Sequence, residues 1–290
     1  MSPALLTEQL LNGVQLGVQL FLTSAGLTLV FGIMNLINLA HGSLYMAGAF
    51  FAAAFLKLTG SFVLAVALAV PATGLLGALL EWAFLRRFYA RSHLDQVLVT
   101  FGLILVFNEL TRIVWGPVPV PMALPDLVAG SVPILPGVGY PVFRLLILGA
   151  GLLVALGLYV VIVHTRIGMW VRAGASDRDM ASAMGVDVRL VFSLVFAAGA
   201  ALAGFAGIMA GPITAVQVGM GEPILILALV VTVIGGIGSV RGAFVAALMV
   251  GLVDTFGRVL LPPALGSMVI FMLMAMILAW RPKGLFPVHG

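Results

Sequence analysis

The chain has 290 residues, of which 62% are hydrophobic and only 8% are charged, and its net charge is +4. Soluble domains carry roughly 25% charged residues, so this composition excludes a soluble or disordered chain and indicates an integral membrane protein. The chain has no cysteine, which excludes disulfides, thiolate metal sites and cysteine nucleophiles. Because its long uncharged runs do not alternate between apolar and polar residues, we expect a helical bundle.

Charge-free runs predict the membrane spans. The N-terminal segment lacks the positive charges of a signal peptide, so we expect its first apolar run to be retained. Residues 9–56 contain no charged residue, which is enough for two helices of about 20 residues each. The pattern predicts one all-α transmembrane domain over 1–290, with about eight to nine spans near 10–32, 38–56, 58–80, 95–115, 144–164, 190–210, 223–238, 242–260 and 265–280. The seventh and ninth are short, so each is predicted either to cross or to be re-entrant.

The loops predict the orientation of the bundle. Residues 116–143 contain seven prolines and no Lys or Arg, which is typical of a surface loop outside the cytoplasm, because proline cannot donate backbone hydrogen bonds. Basic residues concentrate in 84–94, in 165–189 and in the tail 281–283. The positive-inside rule places these segments in the cytoplasm and the N-terminus outside. The positive charge is thereby explained by membrane orientation, without a nucleic-acid partner.

Two apolar helices, over 32–50 and 233–251, are each interrupted by a short polar and glycine-bearing break. Paired breaks in the two halves of a chain indicate a transport path, although glycine-rich helices also pack closely for structural reasons alone. The polar side chains of the first break either bond backbone carbonyls freed by the break or line a path for a zwitterion. The candidate path residues are Asn35, Asn38, His41, Ser43, Gly235, Gly236, Gly238 and Ser239.

Charged residues within the predicted spans form two pairs at helical spacing. Glu109 and Arg112 lie three residues apart, and Asp254 and Arg258 lie four apart. Each pair shares a helix face, so we expect it to neutralise itself within the bundle. The sequence has no phosphate-binding loop, zinc-protease motif or nucleophile elbow, and its four histidines are scattered. We therefore expect no enzyme activity, no metal site and no cofactor.

The basic segment 165–189 contains a short stretch with helix-ending signals. Ser176 or Asp177 is a suitable N-cap, and Gly185 is a suitable C-terminal stop. Such a helix either docks onto a soluble motor or lies among the lipid headgroups, and its small residues favour docking because they allow a partner to approach closely. The candidate coupling residues are Arg172, Ala173, Ala175, Asp177, Ala181 and Gly185.

Five segments, in the same order along the chain, resemble permeases of branched-chain amino acid ABC importers of the Liv type, and most closely the shorter LivH-like subunit. They read GLTLVFGIMNLINLAHGSLYMAGAF, RAGASDRDMASAMGVD, LAGFAGIMAGP, GGIGSVRGA and RPKGLF. The resemblance implies a multi-pass permease of a bacterial inner membrane that moves leucine, isoleucine or valine. Permeases of the same family for urea, short amides or aromatic acids remain an alternative, and so does an ATP-independent secondary transporter or channel.

The resemblance also implies partners. They are a second, LivM-like permease subunit, two cytoplasmic ABC ATPases that contact the coupling segment, an extracytoplasmic substrate-binding protein and the surrounding lipid bilayer. The absence of a phosphate-binding loop fits this assignment, because ATP hydrolysis would belong to the ATPase subunits.

Overall fold

Nine apolar helices run back and forth between two ends of the molecule, within residues 3–135, 138–266 and 268–287, the part of the chain that this computed structural model describes. They are α1 (Pro3–Met34), α2 (His41–Thr59), α3 (Phe62–Ala83), α4 (His93–Trp115), α5 (Val142–His164), α8 (Val188–Thr214), α9 (Gly221–Gly235), α10 (Val240–Leu260) and α12 (Val269–Trp280). Three shorter helices connect them: α6 (Arg166–Ser176), α7 (Arg178–Ala183) and α11 (Pro263–Gly266).

Seven of the described helices are long and apolar enough to cross a membrane, and the two exceptions are α9 and α12. With 15 and 12 residues, these helices are about 22 Å and about 18 Å long, which is less than the ~30 Å thickness of a hydrocarbon core. The predicted all-α polytopic fold is thus confirmed. The two short helices are those that the charge-free runs predicted to be short, the seventh and the ninth.

The basic segments of the sequence meet at one end of the bundle, the basic end. Arg86 Nη2, just after α3, donates to Ser193 Oγ of α8 at 2.7 Å. Arg178 Nη2, in α7, donates to the carbonyl oxygen of Met34 at 2.8 Å, and the tail pairs with the end of α9 through the Leu285 amide. At the opposite end, the proline-loop end, an isolated β-bridge joins Val120 to Val216.

Helix α1 occupies the centre of the bundle and packs against α5, α8, α9 and α10. Over its most apolar 18-residue stretch, 83% of the residues are buried. It approaches its neighbours where glycine meets glycine. A Cβ added to Gly26 would lie 2.6 Å from the carbonyl oxygen of Gly199 in α8. Similar backbone contacts join Gly32 to Gly238 and, between α2 and α8, Gly48 to Gly204.

Helices α4 and α5 lie at the periphery, where only 17% and 11% of their most apolar stretches are buried. Their outward surfaces are apolar, with side chains such as Ile113 and Leu153 largely exposed. Apart from the exposed Glu109 and Arg112 on α4, such an apolar surface suits lipid tails or the apolar face of another membrane subunit.

The proline-rich segment, which the sequence predicted to be a loop, contains a short β-hairpin. Residues Ser131–Leu135 form β1 and Val138–Pro141 form β2, which pair as an antiparallel hairpin. Proline is tolerated at strand edges, which is why Pro133 does not prevent the pairing. The hairpin buries Tyr140 and leads directly into α5.

The glycine contacts generate a prediction about stability. Replacing Gly26 with Ala places a methyl group against the Gly199 backbone, which cannot rotate away, so we expect a loss of about 1–3 kcal/mol and a lower melting temperature of the detergent-purified protein. Gly102→Ala in α4 is the matched control, because a Cβ there meets nothing within 4 Å and alanine favours the helix. Equal melting temperatures for the two variants would contradict the packing role of Gly26.

Candidate translocation path and coupling surface

The first break, between α1 and α2, is held by hydrogen bonds to its neighbours. Asn35 has a φ of 52°, which ends α1 in a left-handed turn. The Ile37 amide donates to Gln96 Oε1 at 3.2 Å. His41 Nε2 is hydrogen-bonded to the backbone carbonyl of Thr23 at 3.0 Å. His41 is therefore buried within the bundle, and its side chain ties the start of α2 back to the middle of α1.

Asn38 differs from its neighbours in the first break. The residue is 1% exposed, yet neither amide atom of its side chain has a hydrogen-bond partner among the described residues. An unpaired buried amide is costly, about 1–3 kcal/mol. Its buried amide therefore makes Asn38 a stronger path candidate than His41, whose hydrogen bond already has a structural role.

Ser43 lies in a cleft between α2, α4 and α9 that is too narrow to hold a water molecule. The cleft also contains Asn108, whose Nδ2 donates to Glu222 Oε1 at 2.6 Å. Sequence reasoning missed both residues. The available signal was Glu222 itself, an acidic residue next to the predicted start of the seventh span.

The second break, between α9 and α10, is a glycine turn closed by the tail. Gly236 and Gly238 have φ values of 98° and 83°, which side chains rarely adopt. Ser239 Oγ caps α10 by accepting from the Gly242 amide at 3.0 Å. Gly235 packs its backbone against Gly242, and its carbonyl accepts from the Phe286 amide at 3.1 Å. The motif RPKGLF thus seals this break.

The two breaks and the basic segment 165–189 meet at a cavity of about 450 Å³ at the basic end. Asn35 of the first break and Gly238 and Ser239 of the second break line it, together with Arg172 and Ala175 of the basic segment. The close Gly32–Gly238 contact brings the breaks together. The structure therefore unites five of the predicted residues at one cavity, whereas Ser43 lies on the separate cleft beside α4.

The basic segment 165–189 folds as two helices joined by one capping residue. The Asp177 amide caps the end of α6 by donating to the carbonyl of Ala173, while Asp177 Oδ1 accepts from the Met180 amide to start α7. Gly185 has a φ of 87°, and the Val186 amide bonds back to the carbonyl of Ala181 at 3.1 Å. Such a glycine-ended turn is a Schellman motif. The predicted Asp177 cap and Gly185 stop are confirmed.

Two exposed methionines, Met180 in α7 and Met184 just after it, contribute to the surface that this segment presents to solvent. Met180 is 61% exposed and Met184 is 79% exposed, whereas Ala181 is buried against the bundle. Methionine is flexible and polarizable, which suits it to protein-binding surfaces. The small residues that favoured docking thus act differently: Ala181 packs inward and Ala175 lines the cavity.

Arg178 joins the coupling segment to the first break, a role that sequence reasoning missed. Its guanidinium donates to the carbonyls of Met34 at 2.8 Å and Ile33 at 3.4 Å. It also lies 5.0 Å from the ring centre of Phe192. A helix ends with unpaired carbonyls and a partial negative charge, so a cation is favourable there. Arg178 thereby caps α1 immediately before its break.

A buried ion pair holds α3 to α8 at the basic end. The Glu81 side chain is fully buried and accepts from Arg86 Nε at 3.1 Å, from Ser193 Oγ at 2.6 Å and from the Tyr89 hydroxyl at 2.6 Å. The predicted third span ended just before Glu81, so its burial was missed. Three donors satisfy the carboxylate, which is the condition under which a buried charge is tolerated.

Both predicted charge pairs form, but the expected position within the bundle is wrong for Glu109 and Arg112, which lie on the outer surface of α4. Arg112 Nη1 lies 2.9 Å from Glu109 Oε1, with both side chains exposed. Arg258 Nε lies 2.8 Å from Asp254 Oδ1, and the Asp254 side chain is only 6% exposed. Within the described residues, no group of three or more His, Asp or Glu side chains is arranged to hold a metal ion.

Comparisons with known proteins identify the family. A family model described as "Branched-chain amino acid transport system / permease component" matches residues 9–278. The permease BraD of Pseudomonas aeruginosa is 29% identical, over 96% of this chain and 94% of its own length. The permease LivH of Escherichia coli is 28% identical over the same shares, and a probable LivH of Methanocaldococcus jannaschii is 25% identical over 86% and 80%. No solved structure matches the chain.

The names of these relatives agree with one another and with the resemblance of the sequence. BraD and LivH are both named high-affinity branched-chain amino acid transport system permease proteins. The family model covers the nine apolar helices almost completely, from within α1 to within α12. The chain belongs to the family of permease components of branched-chain amino acid transport systems.

Proposed function

We propose that this chain is the permease subunit of an ABC importer that carries leucine, isoleucine and valine across a bacterial inner membrane. It works with a LivM-like second permease, two cytoplasmic ATPases and an extracytoplasmic binding protein. The basic end faces the cytoplasm, in line with the positive-inside rule, and the proline-loop end receives the binding protein. The high-affinity branched-chain amino acid permeases to which the chain is similar support this assignment.

The observation that carries the proposal is the direct link from two exposed methionines to the end of the central helix α1, just before the first break. We assign ATPase docking to the surface formed by Met180, in α7, and Met184, just after it, and call it the docking surface. From the same short helix, Arg178 bonds the last carbonyls of α1. A displacement of α7 therefore acts on the last turn of α1, just before the first break.

In this proposal, the helices around the cavity at the basic end are the parts that move. It lies between α1, α5, α6 and α10, and both breaks contribute to its wall. Closure of the ATPases on bound ATP would displace α6 and α7, and with them Arg172 and Ala175 of the cavity wall. Rigid helices on either side of a break can rock as units, so this displacement opens or closes the cytoplasmic exit.

The assembly itself provides the first test. Tagged chain purified from native membranes is expected to bring with it a second permease and two ATPases, measured by mass spectrometry. In proteoliposomes, this complex and its binding protein should take up labelled leucine only when ATP is present. A homo-oligomer without ATPases, or uptake without ATP, would overturn the proposal in favour of a secondary transporter or channel.

The docking surface gives a second prediction. Met184→Asp puts a charge into an apolar contact, so the ATPases should no longer purify with the chain. Met184 is 79% exposed, so its replacement leaves the permease folded. Val118→Asp is the matched control, because Val118 is 71% exposed but lies in the loop at the opposite end. Retention of the ATPases by the Met184 variant would contradict the assigned surface.

The link between α7 and α1 gives a third prediction. Arg178→Gln removes the charged cap of α1 while leaving the methionine surface in place. We expect ATPase binding to persist while leucine uptake per ATP hydrolysed falls by roughly tenfold, corresponding to about 1.4 kcal/mol of coupling. The control is Arg189→Gln, an exposed arginine in the same basic segment. An unchanged ratio of uptake to hydrolysis in the Arg178 variant would show that coupling takes another route.

A further inference from the structure

A second cavity, of about 350 Å³, opens near the proline-loop end between α1, α5, α8 and α10. Neither the two breaks nor the coupling segment contributes to its wall. It lies beside the outer part of α1, where four polar residues follow one another at helical spacing: Gln9, Asn12, Gln15 and Gln19. Polar residues in such a row place their side chains on one face of the helix.

A polar side chain buried in an apolar bundle is costly unless it has hydrogen-bond partners, and two of these four side chains are buried. Gln15 is 7% exposed and Gln19 is 8% exposed. Gln15 Nε2 donates to Gln19 Oε1 at 3.1 Å, so the two amides satisfy each other only in part. An amide offers two donors and a carbonyl acceptor, so the pair retains hydrogen-bonding capacity toward the cavity.

The cavity also carries charges of both signs. Asp254 lies on it with its side chain 6% exposed, and it accepts from Arg258 Nε through both carboxylate oxygens, at 2.8 Å and 2.9 Å. Arg144 lies on the same wall and donates to Asn12 Oδ1, a neutral acceptor. Among the described residues, Arg144 forms no ion pair with a carboxylate. A half-buried guanidinium whose neighbours are neutral groups is available to an anionic ligand.

Tyr140 supplies an independent sign of an incomplete polar site next to Arg144. The residue is 1% exposed, and its hydroxyl has no hydrogen-bond partner in the described part of the chain. Burial raises the pKa of the Tyr140 hydroxyl, and the nearby Arg144 guanidinium opposes that rise. A buried hydroxyl with unused hydrogen-bonding capacity, beside a guanidinium that faces no carboxylate, is expected where a ligand completes the hydrogen bonds.

The rest of the cavity wall is aliphatic. Leu16, Ile213 and Val259 line it together with the charged and amide groups. A wall with a guanidinium, a carboxylate and a patch of branched aliphatic side chains matches the three parts of an aliphatic amino acid. Such pockets, mostly apolar with a few placed polar groups, are typical of small-molecule sites.

We propose that this cavity is the subsite in which the permease receives a zwitterionic aliphatic amino acid from the binding protein. Arg144 holds the carboxylate of the ligand, Asp254 holds its ammonium group, and the aliphatic wall holds its side chain. This inference rests on the proposed import of branched-chain amino acids. It locates the first contact of the substrate with the permease near the proline-loop end, on a wall to which neither break contributes.

The first experiment measures leucine uptake by the assembled importer in proteoliposomes with Arg144→Gln. We expect uptake at low leucine to fall at least tenfold, while loaded binding protein still stimulates ATP hydrolysis as in the unmodified importer. Arg144→Lys should restore part of the uptake, because lysine restores the positive charge but cannot bind a carboxylate through two parallel hydrogen bonds as a planar guanidinium does. Lys57→Gln is the matched control, since it removes an exposed positive charge at the same end outside the cavity.

A second experiment remains informative if the Arg144 variants fold poorly. Because the chain has no cysteine, Thr255→Cys introduces a single thiol of this chain into the cavity wall. Leucine should slow its labelling by a cationic methanethiosulfonate reagent, whereas Val118→Cys in the outer loop should label at the same rate with or without leucine. Protection of both thiols, or of neither, would overturn the assignment of the cavity.

The outcomes separate the site from the proposed function. If the unmodified importer takes up leucine but Arg144→Gln does so equally well, the subsite is wrong and the proposed function stands. If the unmodified complex takes up no branched-chain amino acid, the proposed function fails first. Loss of a bound phospholipid from Arg144→Gln, seen by native mass spectrometry with uptake unchanged, would reassign the cavity to a lipid headgroup.

Discussion

The close approach of helix backbones at glycine is the contact on which the rest of this structure depends. Within a bilayer, lipid tails are as apolar as leucine, so burial of apolar side chains gives little reason for helices to associate. Association relies instead on tight van der Waals contact, which small residues permit. Gly26 against Gly199 and Gly48 against Gly204 bring α8 to α1 and α2 at backbone distance. These contacts fix how the central helices α1, α2 and α8 lie against one another.

The same contacts explain why helix breaks are tolerated deep in the bundle. Gly32 of α1 meets Gly238 of the second break, so the two irregular segments lie against each other and away from lipid. Backbone groups freed by a break must find partners within the protein. The hydrogen bond from the Ile37 amide to Gln96 Oε1, and the pairing of the tail with α9, provide such partners.

The charged and polar groups fall into two classes. Some hold the helices of the bundle together, and others keep unused hydrogen-bonding capacity. Glu81 receives three hydrogen bonds, so its carboxylate is fully engaged and joins α3 to α8. Arg178 is engaged by the end of α1. Arg144 and Asn38, by contrast, have capacity that the described chain does not use. An unpaired polar group in a low-dielectric interior costs free energy. A functional role at these positions explains why that cost is retained.

The sequence by itself determined the membrane class, the approximate spans, the shortness of the seventh and ninth helices, the Asp177 cap and the Gly185 stop. Composition, charge-free length and local capping chemistry decide these features without long-range contacts. Only the tertiary structure decided which polar residues meet. Arg178 reaches Met34 across 144 positions of sequence, and Arg144 reaches Asn12 across 132. Such pairings depend on how the helices pack, and glycine spacing alone does not specify which helix faces which, because glycines are spread throughout the chain.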